Sequence, residues 1–208
     1  MKTNLIPLLS ELELDLLTEL FNIGVGRAAG SLSQIVHQPI KVSVPIVEMI
    51  TRRKMIDSIG AEQEIVAVSQ EISGSFDMNS TLIFPVQNSL EIVKLMLDTE
   101  LTDEMAAELQ QEAFSEIGNI FLNACIGVIA NTLGTALNID LPIFENSTAG
   151  EILEADDHNE KNFMLSIQLN LHLQDSSIDG YLMFVLNEVS FGHLHSCLIE
   201  LLRSVKGN

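Results

Sequence analysis

One polar pattern occurs twice in this chain, 97 positions apart, and it constrains the fold more than any other feature. Glu19 and Asn22 match Glu116 and Asn119 at that offset, and Pro45 and Pro142, which follow the two asparagines, match at the same offset, as do Gly30 and Gly127. Solenoid repeats have periods of roughly 20 to 50 residues, so a repeat this long is instead a duplicated supersecondary unit. The expectation is one domain spanning residues 1–208, built from two αβ copies, about 8–97 and 103–205, that share a core.

On a helix the pattern has a definite geometry. At about 100° per residue, Asp15, Glu19 and Asn22 fall within roughly 60° of one another, and Leu16, Leu17, Leu20, Phe21 and Ile23 take the remaining arc. Glu112, Glu116 and Asn119 repeat the arrangement against Phe114, Ile117 and Ile120. One face is made to pack, while the other displays carboxylates beside an amide.

The flanking residues place these faces in a wider fold. Residues 1–7 read as an irregular lead-in, and Ser10 before Glu11 and Glu13 reads as an N-cap with an acidic first turn, opening a helix to about Val36. Gly24, Gly26 and Gly30 inside it imply close approach by a neighbour. Ile40, Val42, Val44 and Ile46 alternate as in a half-buried strand, which Pro45 confines to an edge or an end. Arg52, Arg53 and Lys54 read as a solvated helix start, 64–72 and 80–86 as strands, and Leu90–Leu97 as a helix capped by Asn88 and Ser89.

After a link at 98–103, the second half predicts a helix from about Asp103 to Leu137, kinked near Gly118, then a strand from Leu137 through Ile139 and Leu141. Residues 146–162 are acidic and turn-rich, predicting a mobile loop. Phe163–Leu173 and Gly180–Leu186 read as an antiparallel pair turning at 175–179, before a last helix from about Phe191 to Val205. The sum is an α+β fold: a mainly antiparallel sheet with two long helices on one face and a pseudo-two-fold duplication.

Composition narrows function. Ten Lys and Arg against 29 Asp and Glu give a formal charge of −19, which opposes phosphate backbones and anionic lipid, so no nucleic-acid or membrane partner is expected. The apolar run from Ile120 to Leu137 is broken by Asn123, Asn131, Thr132 and Thr135, as in a buried central helix rather than a membrane span. Cys125 and Cys197 lie in apolar helical patterns without a CxxC partner or a secretory signal, so both read as small core residues of a cytoplasmic protein. His193 and His195, two apart on a helix, point in different directions, which is poor metal geometry, and no metal site is expected. A dinucleotide loop at Gly24, Gly26 and Gly30 is excluded because a helix, not a strand, precedes them.

A single E-x-x-N is common on solvated helices. Two copies, each with an acidic residue four places earlier and a proline 23 places later, are specific. Asp15-x3-Glu19-x2-Asn22-x22-Pro45 and Glu116-x2-Asn119-x22-Pro142 resemble the paired signature of the CheC branch of the CheC, CheX and FliY chemotaxis phosphatases, and the flanking Asn22–Ala29 and Glu116–Asn119 are similar too. The resemblance covers essentially the whole chain, and the length is expected to leave no room for the extra flagellar-switch domain of FliY.

The resemblance implies hydrolysis of the phospho-aspartate of a CheY-like response regulator. Asn22 and Asn119 would hold the attacking water, Glu19 and Glu116 would pair with a lysine of the regulator, and Asp15 and Glu112 would lie at the docking surface. Any Mg2+ would belong to the regulator, with no cofactor in this chain. Glu112 departs from the Asp or Ser of the family pattern, which bears on docking at the second site. Related two-site members imply a monomer. Two other readings stand beside this one: an adaptor binding the regulator or the receptor deamidase CheD without catalysis, and a flagellar-switch component.

Overall fold

A computed structural model describes residues 9–97, 102–154, 162–173 and 176–206, and the expected lead-in and most of the expected link lie outside them. The elements follow one order twice. Helix α1 (Glu11–Ile35), strands β1 (Ile40–Val42) and β2 (Ile46–Ile50), α2 (Arg52–Ile59), β3 (Glu64–Gly74), β4 (Met78–Pro85) and α3 (Val86–Leu97) are followed by α4 (Asp103–Leu133), β5 (Leu137–Ile139), β6 (Ile143–Thr148), α5 (Ala149–Glu154), β7 (Phe163–Leu173), β8 (Ser176–Leu186) and α6 (Glu188–Lys206).

All the strands form one antiparallel sheet, ordered β1-β7-β8-β4-β3-β5, with β2 also on β7 and β6 also on β3. The two halves are interleaved in it. The short strands β1 and β2 of the first half pair with β7 of the second, and β5 and β6 of the second pair with β3 of the first. At the centre β4, the last strand of the first half, pairs with β8, the last strand of the second, and Leu82 stands opposite Leu182. Neither half completes its sheet without the other.

The alternation of β3 sorts its side chains between two cores. Val66, Val68 and Ile72 face the larger one with Phe21, Val25, Phe114, Phe121 and Cys125 of α1 and α4. Ile65 and Ala67 face a smaller one closed by Met55 and Ile56 of α2 and Ala149 and Leu153 of α5. The two long helices thus cover one face, as expected, and the short helices cover the other, which the sequence did not show. Helix α4 is apolar and long enough to cross a membrane by length and composition, its best 18-residue window having mean hydropathy 1.5, but half of that window is buried in this fold.

Several local expectations need correction. Alternation from Ile40 to Ile46 breaks at Ser43–Pro45, where Pro45 has no N–H to give a ladder, so two strands form, and Val44 and Ile46 face solvent instead of the core. Helix α3 begins at Val86, four residues early, because Ser89 is not a cap: it is buried, accepts from Gln110 and donates to the Val86 carbonyl. Helix α4 ends at Leu133 because Gly134 takes the left-handed conformation (φ 64°) that closes helices, and it is one continuous helix through Gly118. Residues 146–154 form β6 and α5 rather than a loop, and 155–161 lie outside the described residues. Ser176–Asp179 belong to β8, and α6 starts at Glu188.

Of the glycines in α1, only Gly24 marks a close approach: a β-carbon there would stand 2.7 Å from the Cys125 Cα, whereas Gly26 and Gly30 have open space. Cys125 is buried as expected, and Cys197 is only partly so.

Candidate functional site

The capping box of Ser10 and Glu13 starts α1, and Thr102 caps α4, so both polar stripes begin at a defined helical phase. Leu17, Leu20 and Phe21 anchor the inner side of α1, and Phe114, Ile117 and Phe121 that of α4. With those faces buried, 100° spacing turns the stripes outward. Asp15 and Glu19 are exposed and Asn22 is half-buried; Glu112 and Glu116 are exposed and Asn119 is half-buried. Each half therefore offers a carboxylate beside an amide to solvent. No ion pair joins any of these carboxylates to a cation among the described residues, so each is available to an outside one.

The seat of Asn119 is set by Gly118. A β-carbon on Gly118 would lie 2.3 Å from Val68 Cγ1, so the helix rests directly on β3 at this point. Two residues further along the same face of β3 comes Gln70, 2% exposed. Its Nε2 donates to Asn119 Oδ1 at 3.4 Å and to the Asp140 carbonyl at 3.0 Å, which ties α4 to the segment between β5 and β6. Asn123, one turn on, also donates to Asn119 Oδ1.

The segments that contain the two prolines carry apolar side chains in water. Val44 is 69% exposed and Leu141 87%, and Ile46, Ile143, Leu12 and Leu109 are exposed as well. These form three pairs at the 97-residue offset of the polar pattern, and that shared offset was the signal available in the sequence; alternation instead assigned Val44 to a core. Gln70 had no such signal, since nothing local marks a strand glutamine as lying beneath a helix 49 residues away.

The remaining singled-out residues fall elsewhere. Pro45 is buried and Pro142 partly buried, both in breaks between short edge strands. Arg53 pairs with Asp57 and Lys54 with Glu48 at exposed positions, while Arg52 donates to the Leu153 carbonyl and so joins α2 to α5. His195 Nε2 lies 2.9 Å from Glu13 Oε1 and His193 Nδ1 3.3 Å from the Ser75 carbonyl, in different directions as their spacing requires. Among the described residues no group of three His, Cys, Asp or Glu side chains is placed to hold a metal. Two open clefts line the sheet, one of about 210 Å³ beside Arg52, Ser69, Thr81 and Glu145, the other of about 400 Å³ beside Asp77, Asn79, Asp140 and Asn187.

No family model matches the chain. It is 25% identical over 175 residues to the flagellar motor switch phosphatase FliY of Bacillus subtilis, a match covering 82% of this chain and 46% of that protein. It is 21% identical over 138 residues to the CheY-P phosphatase CheC of Bacillus subtilis, covering 64% of this chain and 66% of that one. The chain thus spans between about half and two thirds of these relatives. Among solved structures, Thermotoga maritima FliY superposes with a TM-score of 0.76 at 20% identity, over 93% of this chain and 99% of that one. The FliM middle domain from H. pylori gives 0.63 at 12%, over 91% and 99%, and CheX from its complex with CheY, BeF3 and Mg2+ from Borrelia burgdorferi gives 0.54 at 16%, over 81% and 97%.

Proposed function

We propose that the chain is a member of the CheC, CheX and FliY family of chemotaxis phosphatases, which its similarity to FliY and CheC of Bacillus subtilis supports, and that within it this protein is a two-site phosphatase of a CheY-like response regulator. The observation that carries the proposal is the exposure of Glu19 beside Asn22 and of Glu116 beside Asn119, on two helices whose opposite faces are buried. An aspartyl phosphate is an activated acyl phosphate, so its hydrolysis needs an in-line water and stabilised charge more than a nucleophile or a metal of the phosphatase. The water oxygen bonds to phosphorus as the bond to the aspartate oxygen breaks. The carboxylate leaves with that electron pair, and the protons of the water pass to phosphate and solvent.

An asparagine suits this task. Its carbonyl can accept from the water, leaving a lone pair for phosphorus, and its NH2 can donate to a phosphoryl oxygen without bringing negative charge to the phosphate. Glu19 and Glu116 would repel the phosphoryl group, so they pair instead with a cation on the regulator, and Asp15 and Glu112 extend that acidic stripe. The exposed apolar pairs beside each site supply area to bury on docking. Mg2+ comes with the phosphorylated partner. We place the protein in the cytoplasm as a monomer, one domain of two repeats, with CheD as a further partner.

The test is phosphate release from a panel of phosphorylated receiver domains. The Asn22→Ala and Asn119→Ala double variant should lose the stimulated release while melting like the parent, and undiminished release would remove the assignment. The FliM-like architecture favours a second reading, a non-catalytic switch component or adaptor, which receiver binding without faster phosphate release would select.

A further inference from the structure

The two sites are not chemically equivalent, although the sequence pattern that marks them is the same. The difference lies beneath and beside the asparagines. In β3, Gln70 pairs with Ser80 of β4; at the matching register of the second hairpin, Leu169 of β7 pairs with Gly180 of β8. Where Asn119 has Gln70 below it, Asn22 therefore has the apolar Leu169 at the equivalent place. Asn123, one turn after Asn119, corresponds at the 97-residue offset to Gly26, which has no side chain.

The polarity of the Gln70 amide is set by its neighbours. The Asp140 carbonyl can only accept, so the Gln70 NH2 must face it, and the same NH2 reaches Asn119. Asn119 consequently turns its Oδ1 inward, where Asn123 supplies a second N–H. A carboxamide oxygen has two lone pairs, and both now face protein donors. The Gln70 arrangement is costly, because its own Oε1 is buried without a hydrogen-bond partner. Asn22 makes no side-chain hydrogen bond to any described residue, so its amide can turn either end to a ligand.

Resting on the phosphatase reading, we propose that Gln70 is a positioning residue that, with Asn123, holds the Asn119 carbonyl and makes the second site the slower one. Asn119 meets the partner as an N–H donor only. It can touch a phosphoryl oxygen but cannot accept from the attacking water, whereas Asn22 can do both. Replacing Gln70 by Leu and Asn123 by Ala gives the second site the apolar floor of the first. The first change removes a buried unsatisfied oxygen together with the bond to the Asp140 carbonyl, the second places the best helix former at an exposed helical position, and thermal melting beside the N22A parent checks that the fold is kept.

The experiment compares N22A, in which only the second site can act, with N22A/Q70L/N123A, using a receiver domain phosphorylated by acetyl phosphate in Mg2+. The triple variant should turn over faster by about tenfold, below the hundredfold or more a positioned proton acceptor contributes, with KM unchanged. The same Q70L/N123A pair in an N119A background should change nothing. Unchanged or slower turnover in the triple variant overturns the proposal. The side-chain amide resonances of Asn119 and Asn22 provide a readout independent of any activity: the Asn119 pair should be shifted from the free-amide position by its doubly hydrogen-bonded carbonyl and should move toward that position on Q70L, while the Asn22 pair should lie at the free-amide position throughout. Two amides that behave alike in the parent overturn the inequivalence, even if no receiver is ever a substrate; a parent that accelerates no receiver while its amides differ refutes only the phosphatase reading.

Discussion

Gly118 lies so close to Val68 that a β-carbon on it would stand 2.3 Å from Val68 Cγ1 and 2.7 Å from Cβ. This contact sets the height of α4 over the sheet and thereby the distance from Asn119 to Gln70. Gly118→Ala should destabilise the protein by about 1 to 3 kcal/mol, the usual cost of overpacking, although alanine is the better helix former. Chemical denaturation measures it. Gly127→Ala, with open space around it, should be neutral or stabilising, which separates crowding from helix propensity.

Glu13 ties the start of α1 to α6. Its carboxylate accepts from Ser10 N at 2.6 Å and Ser10 Oγ at 2.7 Å and faces His195 Nε2 at 2.9 Å. Burial pushes the carboxyl up, but the Ser10 hydrogen bonds and the His195 ring together outweigh it and hold the group below its ordinary value of 4.5. A depressed folded value means that the stabilisation is complete above 4.5 and fades as the pH falls through the folded value. Glu13→Gln should cost about 1 to 2 kcal/mol at neutral pH, the scale of a lost cap, and the deficit should shrink below that point. Melting temperature against pH for both proteins checks the sign.

The two thiols should react in sequence. Burial pushes Cys125 up to about 12, and burial with Glu200 nearby raises the partly exposed Cys197 less far. A thiol reagent at pH 8 should label one cysteine in the native protein, slowly, and the second only on unfolding. Cys197→Ser should abolish the native labelling.

The carboxylates should govern docking rather than chemistry. Glu19→Ala and Glu116→Ala, at exposed positions, should raise KM several-fold with little change in kcat, and the effect should shrink in high salt. Leu141→Glu, at an 87% exposed position beside the second site, should weaken receiver binding with the fold intact. Equal losses of kcat and kcat/KM would assign the carboxylates a part in the reaction itself.

By itself the sequence determined the phase of each long helix, the outward turn of Glu19, Asn22, Glu116 and Asn119, and the duplicated unit, because these follow from periodicities of a few residues and one long offset. Tertiary structure alone decided which half lends strands to which, which face α2 and α5 cover, and what lies beneath each asparagine. Strand pairing in an antiparallel sheet leaves no local trace of the partner's identity, since Leu171 or Val66 would pack as well against several neighbours. The same holds for Gln70 and Leu169: equivalent strand positions give the two amides different floors, and that difference exists only once β3 and β7 are laid under their helices.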